Sequence, residues 1–316
     1  MLAFGAAPRV AGAQPAGRVA RIGLLSIATD ATQFPEKPTL ERLRELGWIE
    51  GRNLVIEQRY ARGDPALLAS FAAELVRLKV DLILTFSAGV NASKQATQAI
   101  PIVFGSSQDP VRTGFVPSLG RPGGNLTGAT FLTDELSAKR LELLKETMPG
   151  VSRVAVLWEP SHIDNEFKGM QAVAEGLGVQ LQSVQVPRPV RSDEIERSML
   201  AVRQGRAEAL VLAPGGFTIA NRKRIIALAT ENRIPVVSAW RIFSDDGALL
   251  SYGPNLPEMA HRIASYVDKV LKGARPGDLP IERPTRFELV LNVTAAKVLG
   301  VNLPQSLLVR ADELIA

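Results

Sequence analysis

Apolar positions along the chain fall into short runs rich in Val, Ile and Leu, separated by stretches whose apolar residues recur at helical spacing. The runs at 19–26, 54–60, 81–86 and 102–105 read as strands buried on both faces. A second set at 154–158, 179–186, 209–213 and 235–240 repeats the pattern. Between the runs, 65–79 places Leu68, Phe71, Ala72, Leu75 and Val76 on one helical face, and 134–148 does the same with Ala138, Leu141, Leu144 and Met148. Near-continuous strands alternating with amphipathic helices mean parallel sheets covered on both sides. The expected fold is α/β, with two doubly wound units.

Turn residues set the boundaries. The Gly/Pro cluster at 120–125 separates the first sheet from 126–132, an extended piece feeding the second. Later, 249–252 reads as a strand, 257–273 as a helix ended by Gly273 and Pro276, 280–292 as extended and Pro-punctuated, and 294–299 as a short helix. Two α/β units do not need so long a tail. The economical path crosses between the units near 126–132, 251–254 and 283–289, and repeated crossing makes a multi-strand hinge. The expected division is a leader or disordered tail of 1–17, a first lobe of 18–128 plus 253–284, and a second lobe of 129–252 plus 285–316.

In doubly wound sheets ligands bind past the carboxyl ends of strands, near helix N-termini. Those positions hold Ser26; Thr85, Phe86, Ser87, Ala88 and Gly89; and Ser107 and Asp109 in the first unit. In the second they hold Trp158, Glu159 and Ser161; Pro214 and Gly215; Trp240; and Tyr252 on the hinge strand. Small hydroxyls and unpaired amides at a helix start suit a carboxylate, so Ser87, Ala88 and Gly89 are its expected seat. A plain N-cap is the other reading of Ser87. Aromatics are only 5% of the chain, yet Phe86, Trp158, Phe217, Trp240 and Tyr252 all fall at or just after strand ends. They either stack on a ligand or close the tops of their own cores. Asp109 and Glu159 offer negative charge on opposite lobes for an amino group. An amino acid or related apolar or aromatic carboxylate fits better than a sugar, which calls for more Asn, Asp and Arg.

Composition removes whole classes of function. The chain has 316 residues, room for about two domains. There are no cysteines, which excludes disulfides, thiolate metal sites and cysteine nucleophiles, and the two histidines, His162 and His261, lie far apart. No GxSxG elbow, HExxH, phosphate loop or GxGxxG appears. The net charge is +5 with the positives scattered, which reads as a solvated surface rather than a nucleic-acid face. Within the first segment, Ala11-Gly12-Ala13 has the form of a signal-peptidase site, but Arg9 interrupts a short apolar region and no basic stretch precedes it. It is either a loose terminus or the remnant of a secretory signal.

Several longer motifs carry a resemblance: 46–54 (LGWIEGRNL), 100–104 (IPIVF), 109–111 (DPV), 121–128 (RPGGNLTG), 251–254 (SYGP) and 292–300 (NVTAAKVLG). Together they resemble the ABC-transporter substrate-binding proteins of the group that includes tryptophan- and phenylalanine-binding members, from about residue 20 to the C-terminus. The resemblance implies a type I periplasmic-binding fold that closes on a small-molecule ligand and delivers it to an ABC permease of the inner membrane. It also implies export to the periplasm, which favours the signal-remnant reading of 1–17. One departure stands out: many members carry an acidic or amide residue where this chain has Gly215-Gly216. No cofactor, no metal and no nucleic-acid partner is expected, and the protein is expected to be a monomer and not an enzyme. The alternative is a two-domain α/β transferase working in the same cleft.

Overall fold

The short apolar runs form strands covered on both faces. Every residue of β3 (Leu82–Phe86), β4 (Ile102–Ser106) and β5 (Leu126–Thr130) is buried. The computed structural model describes residues 19–28, 35–62, 64–131, 136–159, 166–187 and 190–316; the segment 1–17 lies outside them. With β1 (Ala20–Ser26) and β2 (Leu54–Tyr60), these strands make a five-stranded parallel sheet of order β2-β1-β3-β4-β5. Helices α1 (Glu36–Glu45), α2 (Ala66–Arg77) and α3 (Ala88–Ala96) lie between the strands in sequence. α2 buries Leu68, Ala72 and Leu75, the i, i+4, i+7 stripe that its periodicity predicts.

The second sheet repeats this order. After α4 (Ser137–Thr147) come β6 (Arg153–Trp158), α5 (Glu166–Ala174), β7 (Gln180–Gln185), α6 (Glu194–Gln204), β8 (Ala209–Leu212), α7 (Gly216–Glu231), β9 (Val236–Ser238), α8 (Arg241–Asp245) and β10 (Leu250–Pro254). They line up as β7-β6-β8-β9-β10, all parallel, the same doubly wound order as the first sheet. Each sheet therefore has one point where strand order reverses, between β1 and β3 in the first and between β6 and β8 in the second.

The C-terminal part departs from the all-parallel expectation. Helix α9 (Leu256–Leu271) follows β10 of the second sheet but packs on α1 and across β3, β4 and β5 of the first. The stretch after it pairs with β5: Glu282 N–H donates to Gly128 O at 3.0 Å, and Thr130 N–H donates to Glu282 O at 2.9 Å. The chain then re-enters the second sheet as β11 (Phe287–Asn292), which runs antiparallel to β10. The direction follows from the path, because β10 leaves the sheet at the end where β11 returns. After α10 (Val293–Leu299) and α11 (Gln305–Arg310), β12 (Glu313–Ile315) adds parallel to β11. A strand of three residues is too short to leave an apolar run in the sequence.

Helix α9 ties these passages together. Asn255 caps it, accepting from Glu258 N–H at 2.8 Å, and its side-chain amide donates to Glu288 Oε1 at 2.5 Å. Arg262 reaches Glu258, Glu282 and Thr285. Tyr266 donates to Pro280 O, and burial, followed by the charge of Glu282, pushes its phenol pKa up. One buried apolar cluster runs through both sheets and includes Leu24, Phe86 and Phe131 with Leu157, Phe217 and Trp240. Burying each such side chain contributes about 1.5–3 kcal/mol.

Candidate functional site

The carboxyl edge of the first sheet is drawn together at its reversal point. Ser26, at the end of β1, is buried; its hydroxyl donates to Glu36 in the first turn of α1 and accepts from Ala28 N–H at 3.1 Å. Thr85 is fully buried, and its hydroxyl donates to Leu25 O at 2.9 Å. Gly89 sits against that hydroxyl so closely that a Cβ there would lie 2.1 Å from Thr85 Oγ1. Glycine at 89 is what lets the start of α3 press onto β1 and β3. Thr85 thus uses its hydroxyl to order the frame.

Ser87 is the strained residue of this edge. Its φ of +41° and ψ of −104° form a backbone conformation rarely adopted by non-glycine residues, and its side chain makes no capping hydrogen bond. The capping reading of Ser87 therefore has no hydrogen bond behind it. The turn is held by Ser87 N–H donating to Gly105 O at 2.9 Å and Val90 N–H donating to Ser87 O at 3.1 Å. Among the described residues, the N–H groups of Ala88 and Gly89 have no acceptor. One strand over, Ser107 is buried with no partner for its hydroxyl. Asp109 instead turns back on its own loop, with Oδ1 accepting from Val111 N–H at 2.8 Å and Arg112 N–H at 3.2 Å.

In the second sheet the same construction uses a carboxylate. Glu159, buried just past β6, accepts from Phe217 N–H at 2.6 Å at the first turn of α7. A Cβ on Gly215 would lie 2.4 Å from Glu159 Oε1. Pro214 and Gly215 are buried, and Thr218 closes the turn by donating to Ala213 O at 2.7 Å while accepting from Gly215 N–H at 2.9 Å. An acidic group does stand beside the Gly215-Gly216 turn, but it arrives from β6. Ser161 lies outside the described residues.

The aromatic residues divide into two groups. Phe86 and Phe131 both flank Gly105, where a Cβ would come within 2.9 Å of Phe86 Cδ1 and 3.0 Å of Phe131 Cζ. Phe131 then meets Trp240 edge to face, with centroids 6.3 Å apart and planes at 82°. Phe86, Phe131 and Trp240 thus form an apolar row from the first sheet to the second. Trp158 and Tyr252 belong elsewhere. Trp158 stacks on Phe167 at 5.8 Å and 3°, donating its indole N–H to Ser183 at 2.9 Å, while Tyr252 lies 6.2 Å from Phe287. Both pack against the separate core of the second sheet.

Sequence reasoning passed over four residues that shape these edges. Phe131 was hidden within the extended stretch 126–132, and Glu36 as an ordinary first-turn acid. Arg140 and Glu166 form a fully buried ion pair at 2.9 Å, and Arg140 Nη1 also donates to Tyr252 O at 3.3 Å on the hinge strand. No local pattern marks either partner. A surface depression of about 590 Å³ lined by Gln171, Glu175 and Gln180 lies at the amino end of β7, the opposite edge from these groups. Among the described residues no cluster of His, Asp and Glu could hold a metal ion, and no helix is long and apolar enough to cross a membrane.

Residues 25–315 match the family described as ABC transporter substrate binding protein. A tyrosine-binding protein of Clostridioides difficile (strain R20291) is 26% identical over 289 residues, 85% of this chain and 79% of that protein. A conserved domain protein from Vibrio cholerae superposes with a TM-score of 0.83 at 26% identity, covering 94% of this chain and 100% of that one. An ABC domain from Streptococcus pneumoniae in complex with L-Trp gives a TM-score of 0.81 at 22% identity, covering 94% and 99%. These likenesses agree with the type I periplasmic-binding architecture, and nothing in them supports the transferase alternative.

Proposed function

The chain belongs to the ABC transporter substrate-binding protein family, and on that premise we propose that the solute it captures for its permease is an amino acid, or a related carboxylate, with an apolar or aromatic side chain. The ligand lies between the two lobes, with β5 kept whole in the first and β10 kept whole in the second, two to three residues from the borders expected at 128/129 and 252/253. Its carboxylate sits on the N–H groups of Ala88 and Gly89, beside the hydroxyls of Ser87 and Ser107. The single observation carrying this reading is the pairing of acceptor-free amides at a helix start with the adjoining Phe86–Phe131–Trp240 row. The amides and the helix dipole favour an anion. The aromatic row favours a flat or apolar remainder at about 25 cal/mol per Å² buried. The relative named for tyrosine binding supports the same class.

In this reading the protein works outside the cytoplasm as a monomer that closes on one ligand and carries out no chemistry. The three passages between the sheets are the segments that would bend. A thermal-shift screen tests the ligand class. A true ligand at about 100 times its dissociation constant adds about 2.7 kcal/mol, so amino acids with large apolar side chains are expected to raise the melting temperature and hexoses to leave it unchanged. A raised melting temperature with hexoses alone contradicts the reading.

A further inference from the structure

A second polar residue lies one strand over from the proposed carboxylate seat. Gln108 is buried, 4% exposed, just past the carboxyl end of β4, and its side-chain oxygen has no partner among the described residues. Its backbone is fixed on both sides: Gln108 N–H donates to Ser106 Oγ at 3.1 Å, and Gln108 O accepts from the Thr130 hydroxyl at 3.0 Å. Buried acceptors in folded proteins are normally satisfied, and one left open on a rigid backbone calls for an explanation. Its neighbour Ser107 is likewise buried and without a partner. β4 is hydrogen-bonded directly to β3, whose end carries the acceptor-free amides of Ala88 and Gly89. Neighbouring strands lie about 4.8 Å apart, a separation suited to binding two groups carried on one carbon atom. Of the two carboxylates expected to take an amino group, Asp109 already accepts from its own loop and Glu159 from Phe217.

We propose that Gln108 is a specificity-determining residue whose side-chain oxygen accepts a hydrogen bond from the ammonium group of an α-amino acid while the carboxylate rests on the α3 amides. This rests on the amino-acid reading of the same site and adds to it the preference for a free α-amino group. Gln108 then distinguishes amino acids from their deaminated counterparts, because only the former fill its buried acceptor.

The test is isothermal titration of three pairs: phenylalanine with 3-phenylpropionate, tyrosine with 3-(4-hydroxyphenyl)propionate, and tryptophan with indole-3-propionate. Wild-type protein is expected to favour the amino acid of its best pair by about tenfold or more, a difference of about 1.4 kcal/mol. Gln108→Leu is expected to bring that ratio to about one while leaving the deaminated ligand's affinity unchanged, and Gln108→Met repeats the test if the first variant fails to fold. Variants that keep the wild-type ratio, or that weaken both ligands equally, overturn the role of Gln108 and leave the amino-acid reading standing. Wild-type protein silent toward all six compounds overturns both.

Discussion

Glu159 Oε1 accepts the backbone N–H of Phe217 at 2.6 Å, joining the end of β6 to the start of α7 through the space that Gly215 leaves open. A carboxylate at a helix N-terminus satisfies an otherwise orphan donor and sits at the positive end of the helix dipole. This contact predicts an asymmetry between two substitutions. Gly215→Ala forces a Cβ to 2.4 Å from Glu159 Oε1 and is expected to cost about 1–3 kcal/mol. Glu159→Gln keeps an acceptor and is expected to cost less. Calorimetric melting of the two variants checks this, and a Gly215→Ala protein as stable as wild type contradicts it.

Ser87 makes a prediction of the opposite sign. Its φ of +41° is a conformation that glycine adopts without penalty, and its hydroxyl caps nothing. Ser87→Gly is expected to stabilise the protein by about 1 kcal/mol by relieving strain. Ser87→Ala keeps the strain and is expected to leave stability nearly unchanged while weakening the ligand. Denaturant unfolding alongside titration separates the effects. A Ser87→Ala variant that loses stability but not affinity returns Ser87 to the role of a structural cap.

Acid sensitivity should be traceable in part to Glu208. Its carboxylate accepts from Ser152 N–H at 2.7 Å and Arg153 N–H at 2.9 Å and pairs with Arg153 Nη2 at 2.8 Å. The bonds from Ser152 and then Arg153 hold its pKa below the ordinary 4.5. A depressed carboxylate stabilises the fold above its unfolded pKa, and the contribution is lost as pH falls through the lowered folded value. Glu208→Gln is therefore expected to melt lower at neutral pH and to lose less on acidification below about 4.5 than wild type. Parallel slopes for the two proteins would contradict the assignment.

The sheets were legible because burial on both faces writes continuous Val, Ile and Leu runs, and β3 and β4 fall within a residue of their apolar stretches. The direction of β11 was not legible, since it is set by where the chain returns from α9 and not by its own residues. The site shows the same division. Positions past strand ends were readable from strand order alone, as at Ser87 and Glu159. What each side chain does there depends on partners distant in sequence: Glu159 meets Phe217, 58 residues on. Trp158 and Trp240 look alike as aromatics after strands, yet one stacks on Phe167 and the other meets Phe131. Gln108 follows β4 just as Ser107 and Asp109 do, and it is the fold that buries its oxygen without a donor.

Isothermal titration of the intact protein with phenylalanine, tyrosine, tryptophan, leucine and a hexose tests the central claim most directly. The expected result is saturable binding, one ligand per chain, by at least one of the amino acids, with no heat from the hexose. Tight hexose binding with silence from all four amino acids would contradict it.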